Sequence, residues 1–248
     1  MDEFFLKHNY LVLTYTVEVL AAITGIFLFK KYKNTNSKYF ILFLIYLTIC
    51  DWLGAYTTYV HEGRFLSFFI GTVFEKNFWW STLFWKIGAI VFFAFYYQKV
   101  LIYKRFKKVL KWSNYFFVIF SIIYIIINWE DYFTRFFPVI DILGAIIIFM
   151  CSVFYFIEIL QSETTLTFYK SLNFYISAAI FIWWLIITPI VFYDIYFTYD
   201  LKNSYKDLNF VFLRSQIYLF ANIFMYSTFT FALIFCKPEN DDMLIENK

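Results

Sequence analysis

Seven stretches of this chain stay apolar for about twenty residues at a time: 10–30, 39–60, 78–101, 112–128, 138–160, 172–196 and 210–236. A run of that length is what a helix needs to cross the hydrocarbon core of a bilayer. None alternates with period two, and lipid offers no partner to an open strand edge, so helices are the only reasonable form. Little chain is left for anything else. The expected fold is all-α: an integral membrane protein made of a single seven-transmembrane-helix bundle over residues 1–248. Composition agrees, since 62% of residues are hydrophobic and only 16% charged, against about 25% charged in a soluble domain. The expected surroundings are the lipid bilayer.

The loops carry an orientation signal. Thirteen basic residues, including Lys30, Lys31, Lys33 and Lys38 and the group from Lys99 to Lys111, fall on one side of the expected membrane. Six fall on the other: Lys7, Arg64, Lys76, Arg135, Lys202 and Lys206. Basic loops stay in the cytoplasm, so the N-terminus is expected outside and the C-terminus inside. The MDEFFLKHNY start opens with acids and does not read as a cleavable signal peptide. Abundant Ile, Phe, Tyr, Asn and Lys fit an AT-rich genome, and a bacterial cytoplasmic membrane is the default location.

The remaining charges lie where a membrane makes them expensive. An ionised side chain at the centre of a spanning helix costs about 2.5–3.5 kcal/mol on insertion scales, and such residues face the bundle interior and find partners. Glu18 and Asp51 lie near mid-span, Lys86 in the outer half of the third run, and Asp141 and Arg214 near the outer ends of the fifth and seventh. Helical spacing around Asp51 gathers Thr48, Gly54, Ala55 and Thr58, and leads on to His61 and Glu62. Arg214 shares a face with Tyr218, Ala221, Asn222 and Met225. Ala21 and Gly25 form a small-xxx-small pair suited to close helix approach. By depth, Glu18, Asp51, Lys86, Asp141, Arg214 and Asn222 are expected to meet in one outer cavity that takes a small molecule or ion. The expected pairing is Lys86 with Asp51 or Glu18, and Arg214 with Asp141. Asp194 and Glu158, nearer the helix ends, are expected to reach interfacial water. Ion pairs that merely hold the bundle together are the competing reading for each pair.

Three further features need a reading. Loop 61–77 contains FLSFFIGTVF, apolar but too short to span, which suits an interfacial segment or a lid. Pro189, inside IITPIVF, is expected to kink the sixth helix. The acidic end KPENDDMLIENK reads as a tail or docking peptide.

Several chemistries are excluded by count. Two histidines, His8 and His61, both at the outer surface, do not supply the paired axial ligands of a membrane haem protein or a three-histidine zinc site. No GxSxG, HExxH or P-loop occurs. Cys50, Cys151 and Cys236 read as buried small apolar residues. No enzyme activity, cofactor, metal or nucleic-acid partner is implied. In arrangement alone the chain is similar to heptahelical receptors and microbial rhodopsins. However, NIFMY in the last run is not NPxxY, YYQKVLIYKR holds no DRY, and the last run has no lysine for a retinal. The first functional reading is a receptor-like or sensory protein that binds a small ligand or ion and signals through a cytoplasmic or membrane protein partner. The alternatives are a small proton- or ion-coupled transporter, and a structural or assembly subunit of a membrane complex.

Overall fold

The computed structural model describes residues 3–162, 167–197 and 208–238. Lys202, Lys206, the acidic peptide beyond Pro238 and the side chains of Lys7 and His8 lie outside the described residues. Seven helices are long and apolar enough to span a membrane. We label them α1 (Glu3–Tyr32), α2 (Ser37–Gly54), α3 (Phe78–Val100), α4 (Lys104–Ile127), α5 (Pro138–Leu160), α6 (Leu172–Phe197) and α7 (Leu208–Phe235). The chain is a multi-pass membrane bundle, and no strand occurs among the described residues.

The helices do not contribute equally. α1 packs on α2 and α7, α6 on α5 and α7, and α3 on α2 and α5. These contacts close a six-helix ring. α4 stands outside it, against α3 and α5, and turns Trp112, Phe116, Ile123 and Ile126 outward. The ring is tight where small residues permit it. A Cβ on Gly25 would lie 2.9 Å from Ile41 of α2, and one on Gly144 would lie 2.9 Å from Ile90 of α3. Without a hydrophobic drive between helices in lipid, such backbone approach is what makes their contact favourable.

Three local departures from a regular helix shape the bundle. α2 tightens into a 3-10 turn over Ala55–Tyr59 and then stops. The polar stripe therefore ends there, and His61 and Glu62 are exposed loop residues rather than its continuation. α3 contains a π-helical turn over Ser81–Ile87, which rotates the following residues relative to an unbroken α-helix. α4 begins at Lys104, eight residues before its apolar run at 112, because the basic residues are part of its first turns.

The two ends of the ring differ. At the basic end, which carries Lys30, Lys31, Lys99 and Lys104, the helices are cross-tied. Lys31 donates to the Cys236 carbonyl at 2.6 Å, and the Tyr32 hydroxyl donates to the Leu233 and Cys236 carbonyls at 3.0 and 2.9 Å. These carbonyls close α7, where backbone acceptors lack helical donors and a cation is favoured. The Tyr96 hydroxyl donates to Asn173 Oδ1 at 2.5 Å, and Tyr97 lies 2.5 Å from Ser177 Oγ. Glu158, expected in water, is buried. It accepts the Ile102 and Tyr103 N–H groups at 2.7 Å each, and so caps the start of α4.

At the opposite end, loop 61–77 turns through Gly63 and Gly71, both at positive φ. Tyr56 anchors it by donating to the Phe74 and Lys76 carbonyls at 2.8 and 3.0 Å. Phe65, Phe68 and Val73 point outward, as suits an interfacial segment.

Candidate functional site: a charged cavity at one end of the ring

A cavity of about 320 Å³ opens at the end opposite the lysine-rich loops. α1, α2, α3, α5, α6 and α7 all line it, and α4 does not. Five of the six residues singled out from sequence face it: Asp51, Lys86, Asp141, Arg214 and Asn222. Asp194 joins them. Much of the remaining wall is aromatic, with Tyr10, Tyr15, Trp80, Trp85, Trp183 and Tyr218.

The ion pairs differ from the expected ones. Lys86 bonds Asp141 and lies 4.3 Å above the Phe136 ring. The cause is depth. Lys86 and Asp51 each lie eight residues from the open end of their helical segments, about 12 Å at 1.5 Å per residue. Asp141 is three residues from the start of α5, about 5 Å deep by the same rise. A lysine stem extends toward the water end rather than across the bundle, so the ammonium ends beside Asp141 and not beside Asp51 or Glu18. Arg214 pairs with Asp194 of α6, with Nε 2.8 and 2.9 Å from the two carboxylate oxygens. Asp194 is buried rather than left to interfacial water. The Arg214 guanidinium also stacks 5.0 Å above Tyr218. Asn222 accepts the Trp183 indole N–H at 2.8 Å, joining α6 to α7 at the cavity wall.

The lining charges number three acids and two bases. Each base is engaged by one acid, and Asp51 is left over. No lysine or arginine pairs with it among the described residues. Its ionisable neighbour is another acid, Glu18 of α1. Glu18 does not line the cavity, contrary to expectation. It is 1% exposed: it shares the cavity-lining face of α1 with Thr14 and Tyr15 but lies one turn deeper, beneath the cavity. Its polar neighbours are Asp51 and Thr48; it meets the Asp51 carboxyl, with which it can share a proton, and neither of its oxygens receives an N–H or hydroxyl donor. Thr48 donates instead to the Leu44 carbonyl of its own helix, at 3.0 Å.

The helices that present Asp51 and Lys86 are fixed to one another. Trp80 donates its indole N–H to the Cys50 carbonyl at 2.9 Å, Asn77 donates to the Gly54 carbonyl at 2.9 Å, and Tyr46 donates to the Phe84 carbonyl at 2.8 Å. A Cβ on Gly54 would meet Trp80 at 3.0 Å. The absent side chain at 54 is what lets this indole lie against α2. Trp80, Trp85 and Trp183 were not among the expected site residues. Trp80, at a helix end, reads as an ordinary interfacial anchor, and Trp85 and Trp183, inside their helices, read as apolar packing; nothing in their spacing distinguishes a cavity wall from either. Among the described residues no group of three His, Cys, Asp or Glu side chains is placed to hold a metal.

No protein-family model, curated protein or solved structure matches this chain.

Proposed function

We propose that this chain is a receptor-like or sensory membrane protein whose cavity binds a small ligand. The observation that carries the reading is the cavity itself: six of the seven helices converge on one volume, and five charged side chains line it. A bundle that needed ion pairs only for assembly has no use for the empty volume between them, so the reading as a packing subunit has less support. The volume is near the lower limit of ordinary ligand pockets, which suits a compact ligand.

Transmission follows from which helices the cavity wall ties together. Arg214 links α7 to α6 through Asp194, and Asn222 links them again through Trp183. Between those two ties α6 contains Pro189, which cannot donate to the Leu185 carbonyl and weakens the helix at that point. A ligand that shifts either tie bends α6 where it is weakest. In this reading the cavity faces outside and the lysine-rich end faces the cytoplasm, following the loop charges. There the exposed Lys104, Arg105 and Lys108 of α4 meet a protein partner or anionic headgroups.

Transport is the second reading, and Glu18 is the observation that favours it. A buried acid beneath an open cavity is a natural proton acceptor. The two readings separate in proteoliposomes. Solute or proton flux that Asp51→Asn abolishes establishes transport. Ligand binding without flux, with a ligand-dependent change in fluorescence of a probe on the α6 end at the basic side, establishes the receptor-like reading.

A further inference from the structure

We infer that the cavity's ligand is a compact organic cation, an amine or quaternary ammonium group, with Asp51 as its counter-ion. This rests on the reading of the cavity as a ligand site. The argument begins with charge. Lys86 and Arg214 are each neutralised by a carboxylate of the cavity wall, so neither offers an anionic ligand an uncompensated positive charge. Asp51 is the acid with no base beside it, and the group behind it is a second acid rather than a cation. An entering anion meets a surplus of negative charge, whereas an entering cation meets the one open charge on the wall.

Buried polar groups near Asp51 are also left unsatisfied. Glu18 is 1% exposed, and its oxygens receive no N–H or hydroxyl donor, facing instead the carboxyl group of Asp51. The Thr14 hydroxyl, one turn before Glu18 on α1 and part of the cavity wall, has no hydrogen-bond partner. Buried oxygen acceptors without donors are rare in finished structures, and each calls for a donor from elsewhere. An ammonium group in the cavity can donate to Asp51 and to the Thr14 hydroxyl, both on its wall, and a quaternary one supplies the charge alone.

The wall around Asp51 suits such a ligand. Tyr10, Tyr15 and Tyr226 are all within electrostatic range of Asp51 and line the same cavity. Trp80 lies along α2, bonded to the carbonyl of the residue before Asp51. Aromatic faces attract cations, more strongly where water is excluded. The aromatic groups opposite are already used in this way by the protein's own cations, Lys86 on Phe136 and Arg214 on Tyr218. The rings near Asp51 carry no such cation among the described residues.

The test uses the purified full chain in lipid nanodiscs. Thermal unfolding and calorimetric titration are run with methylammonium, tetramethylammonium and choline chlorides. The controls are sodium chloride, sodium acetate and 3,3-dimethyl-1-butanol, the uncharged isostere of choline. At least one organic cation is expected to raise the unfolding temperature above the sodium chloride control, and choline is expected to exceed its isostere. Asp51→Asn is expected to weaken that cation's binding by about tenfold or more. The isostere comparison is made on the unaltered chain, so it stands even where the variant folds poorly. Equal stabilisation by choline and its isostere, stabilisation by acetate instead, or undiminished cation binding by a folded Asp51→Asn chain overturns the cation assignment and leaves the cavity as a ligand site. No stabilisation by any member of the panel overturns the cation assignment as well. A broader library of neutral and acidic compounds then decides the ligand-site reading separately.

Discussion

The two ends of the helix ring spend their polar groups in opposite ways. At the basic end, tyrosines, Lys31 and Glu158 bond directly to atoms of the neighbouring helix, and the helices close on one another. At the other end the charged groups pair along the wall, Lys86 with Asp141 and Arg214 with Asp194, and leave a volume between them. The first arrangement makes a rigid base. The second makes a lined opening with one acid unmatched. Polar residues in a membrane bundle therefore do not imply a site by their presence. What distinguishes the site is a set of charges that satisfy each other sideways and do not fill the centre.

The comparison breaks most visibly at Lys86. Lys86→Met leaves Asp141 buried without its cation, and removal of one partner from a buried pair costs about 3–5 kcal/mol. Thermal or denaturant unfolding in detergent should show a loss of that order. The double variant Lys86→Met, Asp141→Leu should recover most of it, because removing both charges also removes their desolvation cost. Arg214→Met should cost less, about 1–3 kcal/mol, since the Arg214 side chain is 31% exposed and water screens what remains. Equal losses at the two sites would show that burial does not grade these pairs.

Depth was legible in the sequence and partnership was not. A fixed rise per residue places Asp51, Lys86 and Asp141 along the membrane normal without any structure, and that was enough to gather five of the six expected residues around one cavity. Which acid a base meets depends on the order of helices around the ring and on the reach of a long side chain. Neither is written in hydropathy. The π-turn at Ser81–Ile87 carries no apolar signature, yet it sets which residues of α3 face inward. Glu158 and Asp194 are buried, against expectation, for a related reason. Lying near a helix end suggests water, but the start of a neighbouring helix or an arginine can occupy that space first. The exclusion of α4 from the ring did leave a trace: 112–128 is the shortest of the seven apolar runs and the one with no charged residue, so nothing in it has to face the interior.

The rigid base is tested by smaller changes. Tyr97→Phe removes a hydroxyl that lies 2.5 Å from Ser177 Oγ, fully buried between α3 and α6. A net loss of about 1 kcal/mol is expected, the ordinary worth of one buried hydrogen bond. Ligand binding in the cavity should be unchanged, because the contact lies at the other end of α3. A change in ligand affinity with little change in stability would instead make this contact part of the transmission route and blur the contrast between the two ends.

The smallest effect is at the rim of the opening, where contacts are exposed. Glu75 accepts the Gly71 N–H at 2.9 Å, and this bond, helped by Lys76, holds its carboxyl below the usual carboxylate range. Gly71 is at φ +77°, a conformation that glycine adopts without strain. A carboxylate with a lowered pKa in the folded state contributes its stabilisation at neutral pH and loses it as pH falls through the folded value. The Gly71 amide resonance should therefore stay constant from neutral pH to about pH 5 and move only below the ordinary glutamate range of about 4.3. Glu75→Gln should abolish the transition. Global unfolding should hardly respond, because the side chain is partly exposed in a surface loop and water screens its interactions. A global response to this titration would mean that the rim helps hold the cavity open, and the line between the rigid base and the adaptable opening would then fall nearer the mouth than the ion pairs place it.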